Sequence, residues 1–128
     1  MKTRSILIFT AVAEMLTGIG LLLVPALVIK LLLGAELKDP VVFTIARVAG
    51  SAILSLAVAC WFLRDTYQDP GAKALVIGMF VYNTAVFATL AYSAFTYKVT
   101  PLLIGALIFH FLMAIAYINS LRKLKQAV

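Results

Sequence analysis

Long apolar runs alternate with short polar segments along the chain. Four runs, at about residues 5–24, 41–63, 74–95 and 101–120, each contain about twenty residues or slightly more and at most one charged side chain. A helix rises 1.5 Å per residue, so twenty residues extend about 30 Å, the thickness of the hydrocarbon core of a bilayer. The pattern therefore predicts four transmembrane helices.

Three of the runs carry a helix-start signal. Asp39-Pro40, Asp69-Pro70 and Thr100-Pro101 each place a capping residue before a proline at the first helical position. The connections between runs are short, which favours consecutive helices as antiparallel neighbours. We predict an all-α fold, an integral membrane up-and-down four-helix bundle, formed by residues 1–128 as a single domain.

The segment after the first run has two interpretations. Pro25 ends or kinks the first helix, because proline has no N–H to donate. Residues 26–33 are apolar apart from Lys30, and Gly34 is typical of a helix C-terminus. The segment is either a short helix in the membrane interface, which we prefer, or a continuation of the first span past a kink.

Composition excludes a soluble domain. The chain of 128 residues is 64% hydrophobic and only 12% charged, whereas soluble domains are about half apolar and a quarter charged.

Lys2 and Arg4 precede an apolar run, as in a signal peptide, but the run is longer than a signal core, so we expect it to be retained. Cys60 is the single cysteine; it excludes an internal disulfide, and we expect it to be inert packing.

Positive charge collects at one end of the predicted bundle. The net charge is +6, and the basic residues at that end are Lys2, Arg4, Arg64, Lys73, Arg122, Lys123 and Lys125, against Lys30, Lys38 and Lys98 at the other. The positive-inside rule then places both termini in the cytoplasm. We expect these residues to contact anionic lipid, with no nucleic-acid partner. Trp61 and Tyr117, near the run ends, are typical of interface aromatics.

Each run contributes one strongly polar side chain near mid-membrane. Counting along the helices places Glu14, Arg47, Asn83 and His110 about 12–20 Å from the cytoplasmic edge of the core. An arginine at that depth costs about 2.5–3.5 kcal/mol on insertion scales unless its side chain contacts protein, water or a partner. We therefore predict a ligand-binding or proton-linked cluster of Glu14, Arg47, Ser51, Asn83 and His110.

Helical spacing suggests which faces turn inward. Arg47, Ser51 and Ser55 share one side of the second span, and Thr10, Glu14 and Thr17 share one side of the first. Small residues beside them, Ala46 and Gly50 on the second span and Gly18 and Gly20 on the first, favour close helix contact.

The expected partner of Glu14 is Arg47, because opposite charges stabilise each other in low dielectric. This pair either locks two helices together or lines a ligand or proton site; alternatively, Arg47 points outward to phosphate. His110 is either a hydrogen-bonded interior residue or a proton or ligand contact, and Asn83 is expected to join helices.

Motifs of known enzymes are missing from the sequence. It contains no nucleophile elbow, phosphate-binding glycine loop, metal-ligand pair at helical spacing or acid pair suited to hydrolysis. We expect no enzymatic activity of its own, no cofactor and no metal.

The first half of the chain contains a series of short motifs. They are Glu14, Gly18, Gly20 and Pro25, then Leu32-Leu33-Gly34, then Ala46-Arg47 and Gly50. This series resembles the DoxX-like superfamily of small bacterial four-span membrane proteins. The resemblance implies an inner-membrane four-helix fold, with some relatives linked to quinone-associated oxidoreductase complexes. It transfers no catalytic residue.

A second likeness is to small multidrug transporters. They are also four-span chains, with a membrane-embedded glutamate in the first span, and Ala13-Glu14 with Gly18 resembles that neighbourhood. The chain departs from that family because Arg47 would compete for the glutamate and Trp61 lies at the end of the second span rather than in the third.

Three functions are compatible with these observations. The first is binding of a small hydrophobic or quinone-like ligand, or service as an accessory subunit of a membrane complex. The second is a structural or assembly role in which the Glu14–Arg47 pair fixes helix packing. The third is proton-coupled transport by Glu14 and His110, in a homo-oligomer. A cavity beside Arg47 favours the first function, and a direct, dry ion pair favours the second.

Overall fold

The fold is entirely helical in the part of the chain described by the computed structural model, which covers residues 2–126 and the side chains of residues 2–124. The helices are α1 (Thr3–Leu23), α2 (Pro25–Leu33), α3 (Pro40–Phe62), α4 (Pro70–Thr96) and α5 (Pro101–Gln126). All except α2 are long and apolar enough to cross a membrane. The predicted all-α class is confirmed, and the chain is a small multi-pass membrane protein.

Two of the three predicted helix-start signals form the expected capping hydrogen bond. The N–H of Val41 donates to Asp39 Oδ1 at 2.8 Å, at the start of α3. The N–H of Leu103 donates to Thr100 Oγ1 at 3.1 Å, at the start of α5. Each bond satisfies an N–H that has no partner within its helix. Asp69 makes no such bond, although Pro70 begins α4 there, four residues before the predicted span.

Helices α1 and α3 pack as a close pair through two glycines. A Cβ atom added to Gly18 would lie 2.9 Å from the carbonyl oxygen of Gly50, and one added to Gly50 would lie 2.9 Å from that of Gly18. Such distances are too short for any side chain, so the two backbones are in direct contact. The close approach predicted from small residues is confirmed at this crossing.

Helices α4 and α5 form the second pair, and the pairs meet mainly through α1 and α5. The hydroxyls of Thr3 and Ser120 are hydrogen-bonded at 2.6 Å, and those of Thr10 and Tyr117 at 2.7 Å. Tyr117 is fully buried, so its predicted interface position is wrong. The consecutive helices α3 and α4 hardly touch, so the expectation that all consecutive spans are neighbours fails at this junction.

The hydrophobic core occupies one half of the bundle, which we call the terminal half because the first residues of α1 and the last of α5 lie there. Side chains from all four spans form it. They are Ile6, Leu7, Ala11, Cys60, Val76, Met79, Met113 and Tyr117. The other half, which contains α2, is called the α2 half.

Helix α2 bridges the two helix pairs. It is separated from α1 at Val24, whose backbone leaves the helical region, and it ends at Gly34, where φ is +64°. The hydroxyl of Thr100, next to the first residue of α5, donates to the carbonyl of Leu32 at 2.8 Å. The prediction of a separate short helix is confirmed, and one residue type explains its end: glycine adopts positive φ without strain.

Polar contacts tie the terminal end to the connection between α3 and α4. Arg4 Nε donates to Asp65 Oδ1 at 2.6 Å. The guanidinium of Arg64 lies 4.1 Å from the ring centre of Trp61 and donates to the Trp61 carbonyl. The hydrogen bond from Arg4, together with the charges of Arg4 and Arg64, lowers the pKa of Asp65.

Candidate functional site

A cavity of about 610 Å³ lies in the α2 half, between the two helix pairs. All five helices contribute to its wall. Most of the lining is apolar, and the polar exceptions are Glu14, Thr17, Tyr82 and His110. A volume of this size is within the range of small-molecule sites, which is about 300–1,000 Å³.

The polar groups sit at one end of the cavity. On α1 the lining residues run from Glu14 through Thr17 to Leu21, on α4 from Tyr82 through Val86 to Leu90, and on α5 from His110 through Ala106 to Leu102. In each series the polar member lies nearest the terminal half and the apolar members lie toward α2. Val28 and Leu32 of α2 complete the apolar end. The cavity is therefore amphipathic along its length.

Glu14 is buried at the polar end with one oxygen satisfied. The side chain is on the inner face of α1, and the residue is 2% exposed. The hydroxyl of Tyr82 donates to Glu14 Oε2 at 3.0 Å. Glu14 Oε1 has no hydrogen-bond partner among the described residues. A buried polar atom left without a partner costs about 1–3 kcal/mol, and more when charged, so Glu14 carries an unsatisfied polar atom in a residue that lines the cavity.

His110 and Asn83 form a second polar unit. Asn83 Nδ2 donates to the carbonyl of Met79, one turn earlier on α4, at 2.8 Å. Asn83 Oδ1 lies 2.9 Å from His110 Nδ1, so the asparagine joins α4 to α5. The predicted role of Asn83 in joining helices is thereby confirmed. His110 also lines the cavity.

Tyr82 connects the two units. Its hydroxyl contacts Glu14 on α1, and its ring lies edge-on to the His110 ring with 5.9 Å between ring centroids. Phe109 packs against the same imidazole edge-on at 5.2 Å. The tyrosine is half-buried and faces the cavity, so it contributes both a polar contact and part of the wall.

Arg47 does not join this cluster, and the predicted Glu14–Arg47 ion pair is wrong. Arg47 is exposed, and within the described part of the chain it makes no ion pair. Helix register explains the difference, since Gly18 faces Gly50. Glu14 lies four residues from this crossing toward the terminal half, and Arg47 lies three residues from it toward α2. The two residues are thus about 10 Å apart along the bundle axis.

Ser51 also lies outside the cluster, so the inward stripe predicted on α3 is wrong. Ser51 and Ser55 are exposed. The Ser51 hydroxyl donates to the Arg47 carbonyl at 3.0 Å, and the Ser55 hydroxyl donates to the Ser51 carbonyl at 2.9 Å. A serine hydroxyl that donates to a carbonyl of its own helix needs no partner in the bundle interior. The helical spacing of these residues therefore did not determine which face of α3 points inward.

The structure thus brings together three of the five predicted site residues, Glu14, Asn83 and His110, and adds Tyr82. The sequence carried a signal for Tyr82, because it is next to Asn83 at the same depth. It carried no comparable signal for the apolar wall, whose residues are ordinary membrane-span residues.

Comparisons of this chain with family models, with curated proteins and with solved structures found no match.

Proposed function

We propose that this membrane protein binds a small, mostly apolar molecule in the cavity of the α2 half, with the polar head of the molecule against Glu14, Tyr82 and His110. The observation that carries the proposal is the combination of an apolar cavity of about 610 Å³ with a buried, unpartnered carboxyl oxygen at one end. A ligand head would supply the partner that Glu14 Oε1 lacks.

The shape of the cavity supports a lipid-like or quinone-like ligand. Its polar end is in mid-bundle, and its apolar end extends toward α2, so a molecule with one head and one tail fits it lengthwise. Helices α3 and α4 both line the cavity but hardly touch each other. The gap between them would give ligands dissolved in the bilayer a route into the cavity.

The structural alternative has lost its main support. That function required a direct pair between Glu14 and Arg47, and the structure places Arg47 on the outer surface of α3. The buried charge-bearing group that remains, Glu14, faces a cavity instead of a salt-bridge partner. This arrangement is costly for a purely structural device, because Oε1 is buried without compensation.

Replacing either of two alanines by phenylalanine, one inside the cavity and one outside it, tests the proposal. Ala106→Phe places a large side chain on the cavity wall, whereas Ala88→Phe adds the same side chain at an exposed position of α4 that does not line the cavity. The measurement is binding of a radiolabelled para-alkylphenol to protein reconstituted in nanodiscs. We expect binding to be lost in Ala106→Phe and retained in Ala88→Phe. Equal binding by both variants would refute the cavity as the site.

We propose further that the terminal end faces the cytoplasm of a bacterial inner membrane, and that the protein works alone, as a homo-oligomer or as an accessory subunit of a membrane complex. Lys2, Arg4, Arg64 and Lys73 lie at the terminal end, against Lys30, Lys38 and Lys98 at the other. A reporter active only in the cytoplasm, fused to the C-terminus, tests the orientation. Crosslinking in native membranes tests the assembly.

A further inference from the structure

The hydrogen bonds of Asn83 fix which nitrogen of His110 carries the hydrogen. The Met79 carbonyl can only accept, so the Asn83 atom 2.8 Å from it is the amide nitrogen. The Asn83 atom that faces His110 Nδ1 at 2.9 Å is therefore the amide oxygen, which also can only accept. Consequently Nδ1 donates, and in the neutral imidazole the other nitrogen, Nε2, is left as an acceptor.

His110 Nε2 is thus an acceptor available to the cavity. It makes no hydrogen bond to any residue that the structure describes, and His110 is part of the cavity wall. A ligand head that pairs with it must donate a hydrogen. A ketone, ester or quinone carbonyl has no hydrogen to donate and would leave Nε2 unpaired.

Glu14 Oε1 adds a second requirement. The other carboxyl oxygen, Oε2, already accepts from Tyr82, and Oε1 is buried and unpartnered. An ionised carboxylate accepts at Oε1, whereas a protonated carboxyl donates there. A hydroxyl group serves in either case, because it donates one hydrogen bond and accepts others.

From these contacts we propose that the ligand head is a hydroxyl group, so the site selects alcohols and phenols, including the quinol over the quinone form of a quinone-like molecule. The proposal deepens the proposed function and rests on it. An ammonium head also donates and would pair with an ionised Glu14, but most of the lining is apolar, and taking a charge out of water is costly. The test therefore includes an amine.

The probes are para-nonylphenol, its methyl ether para-nonylanisole, and para-nonylbenzylamine. The phenol and the ether have the same ring and tail, and the ether carries a methyl group in place of the hydrogen that the phenol can donate. Their binding ratio therefore reports the loss of that hydrogen together with the added methyl group, and the His110→Phe variant below separates the two. Competition against the radiolabelled para-alkylphenol of the binding experiment above, with the full chain in nanodiscs, measures all three affinities. We expect the phenol to bind about tenfold more tightly than the ether, the ratio for about one hydrogen bond, and more tightly than the amine.

Two variants assign the effect to His110. His110→Phe keeps an aromatic ring but removes the acceptor, so the phenol and ether should bind about equally. Thr84→Val is the control: Thr84 is exposed and does not line the cavity, and its hydroxyl donates to the Phe80 carbonyl of its own helix at 2.8 Å. We expect the phenol preference to survive in Thr84→Val.

The outcomes separate this inference from the proposed function. Equal binding of phenol and ether by the wild-type chain, or preference for the ether or amine, would overturn the hydroxyl head while leaving cavity binding intact. Failure of all three probes to compete would overturn the proposed function itself. The wild-type comparison needs no variant, so it stands even if His110→Phe does not fold.

Discussion

The terminal half and the α2 half of the bundle are built from the same four spans but differ in how they are filled. In the terminal half, Leu7, Met79 and Tyr117 are fully buried and close the space between helices. In the α2 half, the facing positions Ala49, Ala52 and Ala106 are small, and a cavity remains. The filled half therefore supplies the scaffold, and the open half supplies the candidate site.

Truncating one leucine in each half should show the largest contrast. Leu7→Ala opens a void in a filled core, and we expect a loss of about 2 kcal/mol or more in the free energy of unfolding. Leu90→Ala removes a half-buried side chain that already borders a cavity, so the loss should be below about 1 kcal/mol. Denaturant titration in mixed micelles measures both. Similar losses would contradict the division into filled and open halves.

The glycine crossing of α1 and α3, which lies beside the cavity in the α2 half, should tolerate even a methyl group poorly. In Gly50→Ala the new Cβ lies 2.9 Å from the Gly18 carbonyl and from the Leu22 nitrogen, and we expect a loss of about 1–3 kcal/mol from overpacking. Gly78→Ala is the matched control, since its Cβ meets nothing within 4 Å. It should gain about 0.5–1 kcal/mol from helix propensity. Thermal unfolding of both variants provides the measurement.

A smaller, pH-dependent effect is expected at the terminal end. The hydrogen bond from Arg4 lowers the pKa of Asp65 in the folded chain, so the folded state favours the ionised carboxylate. Its contribution to stability is present above the unfolded pKa, about 3.9, and is lost as pH falls through the lower folded pKa. The stability difference between wild type and Asp65→Asn should therefore be constant from neutral pH to about pH 5 and shrink below pH 4. A difference that grows toward acid pH would contradict this.

The smallest effect should be the coupling between Glu14 and Arg47. Without an ion pair between them, a double-mutant cycle of Glu14→Gln and Arg47→Leu should give an interaction energy below about 0.5 kcal/mol, the level for residues that share no contact. Unfolding free energies of the four proteins in the same micelles supply the cycle. A coupling of several kcal/mol would restore the predicted pair and remove the unpartnered state of Glu14.

The sequence predicted the spans and the depth of the polar groups because both depend on distance along one helix. Pro40, Pro70 and Pro101 mark three helix starts, and counting residues places Glu14, Asn83 and His110 at similar depths. These positions follow from helix rise alone, which is why they agree with the structure.

Rotation of a helix about its axis was harder to predict, and Arg47 shows why. The residue shares its face with serines that are satisfied by their own backbone carbonyls, so polar spacing did not identify the interior. The register of the Gly18–Gly50 crossing decides the face, and it depends on contacts between two helices. Tyr117 is similar, because a tyrosine near the end of the predicted run suits both an interface and a buried hydrogen bond, and α5 continues past that run to Gln126.

The bridging helix α2 places part of the cavity wall outside the four membrane spans. Val28 and Leu32 form one wall of the cavity but belong to a nine-residue helix outside the four spans. Replacements there change the shape of the compartment without disturbing the Gly18–Gly50 crossing or the filled core. Under the proposed function, such replacements would alter the length of tail that the compartment accommodates, while the four spans keep their assembly.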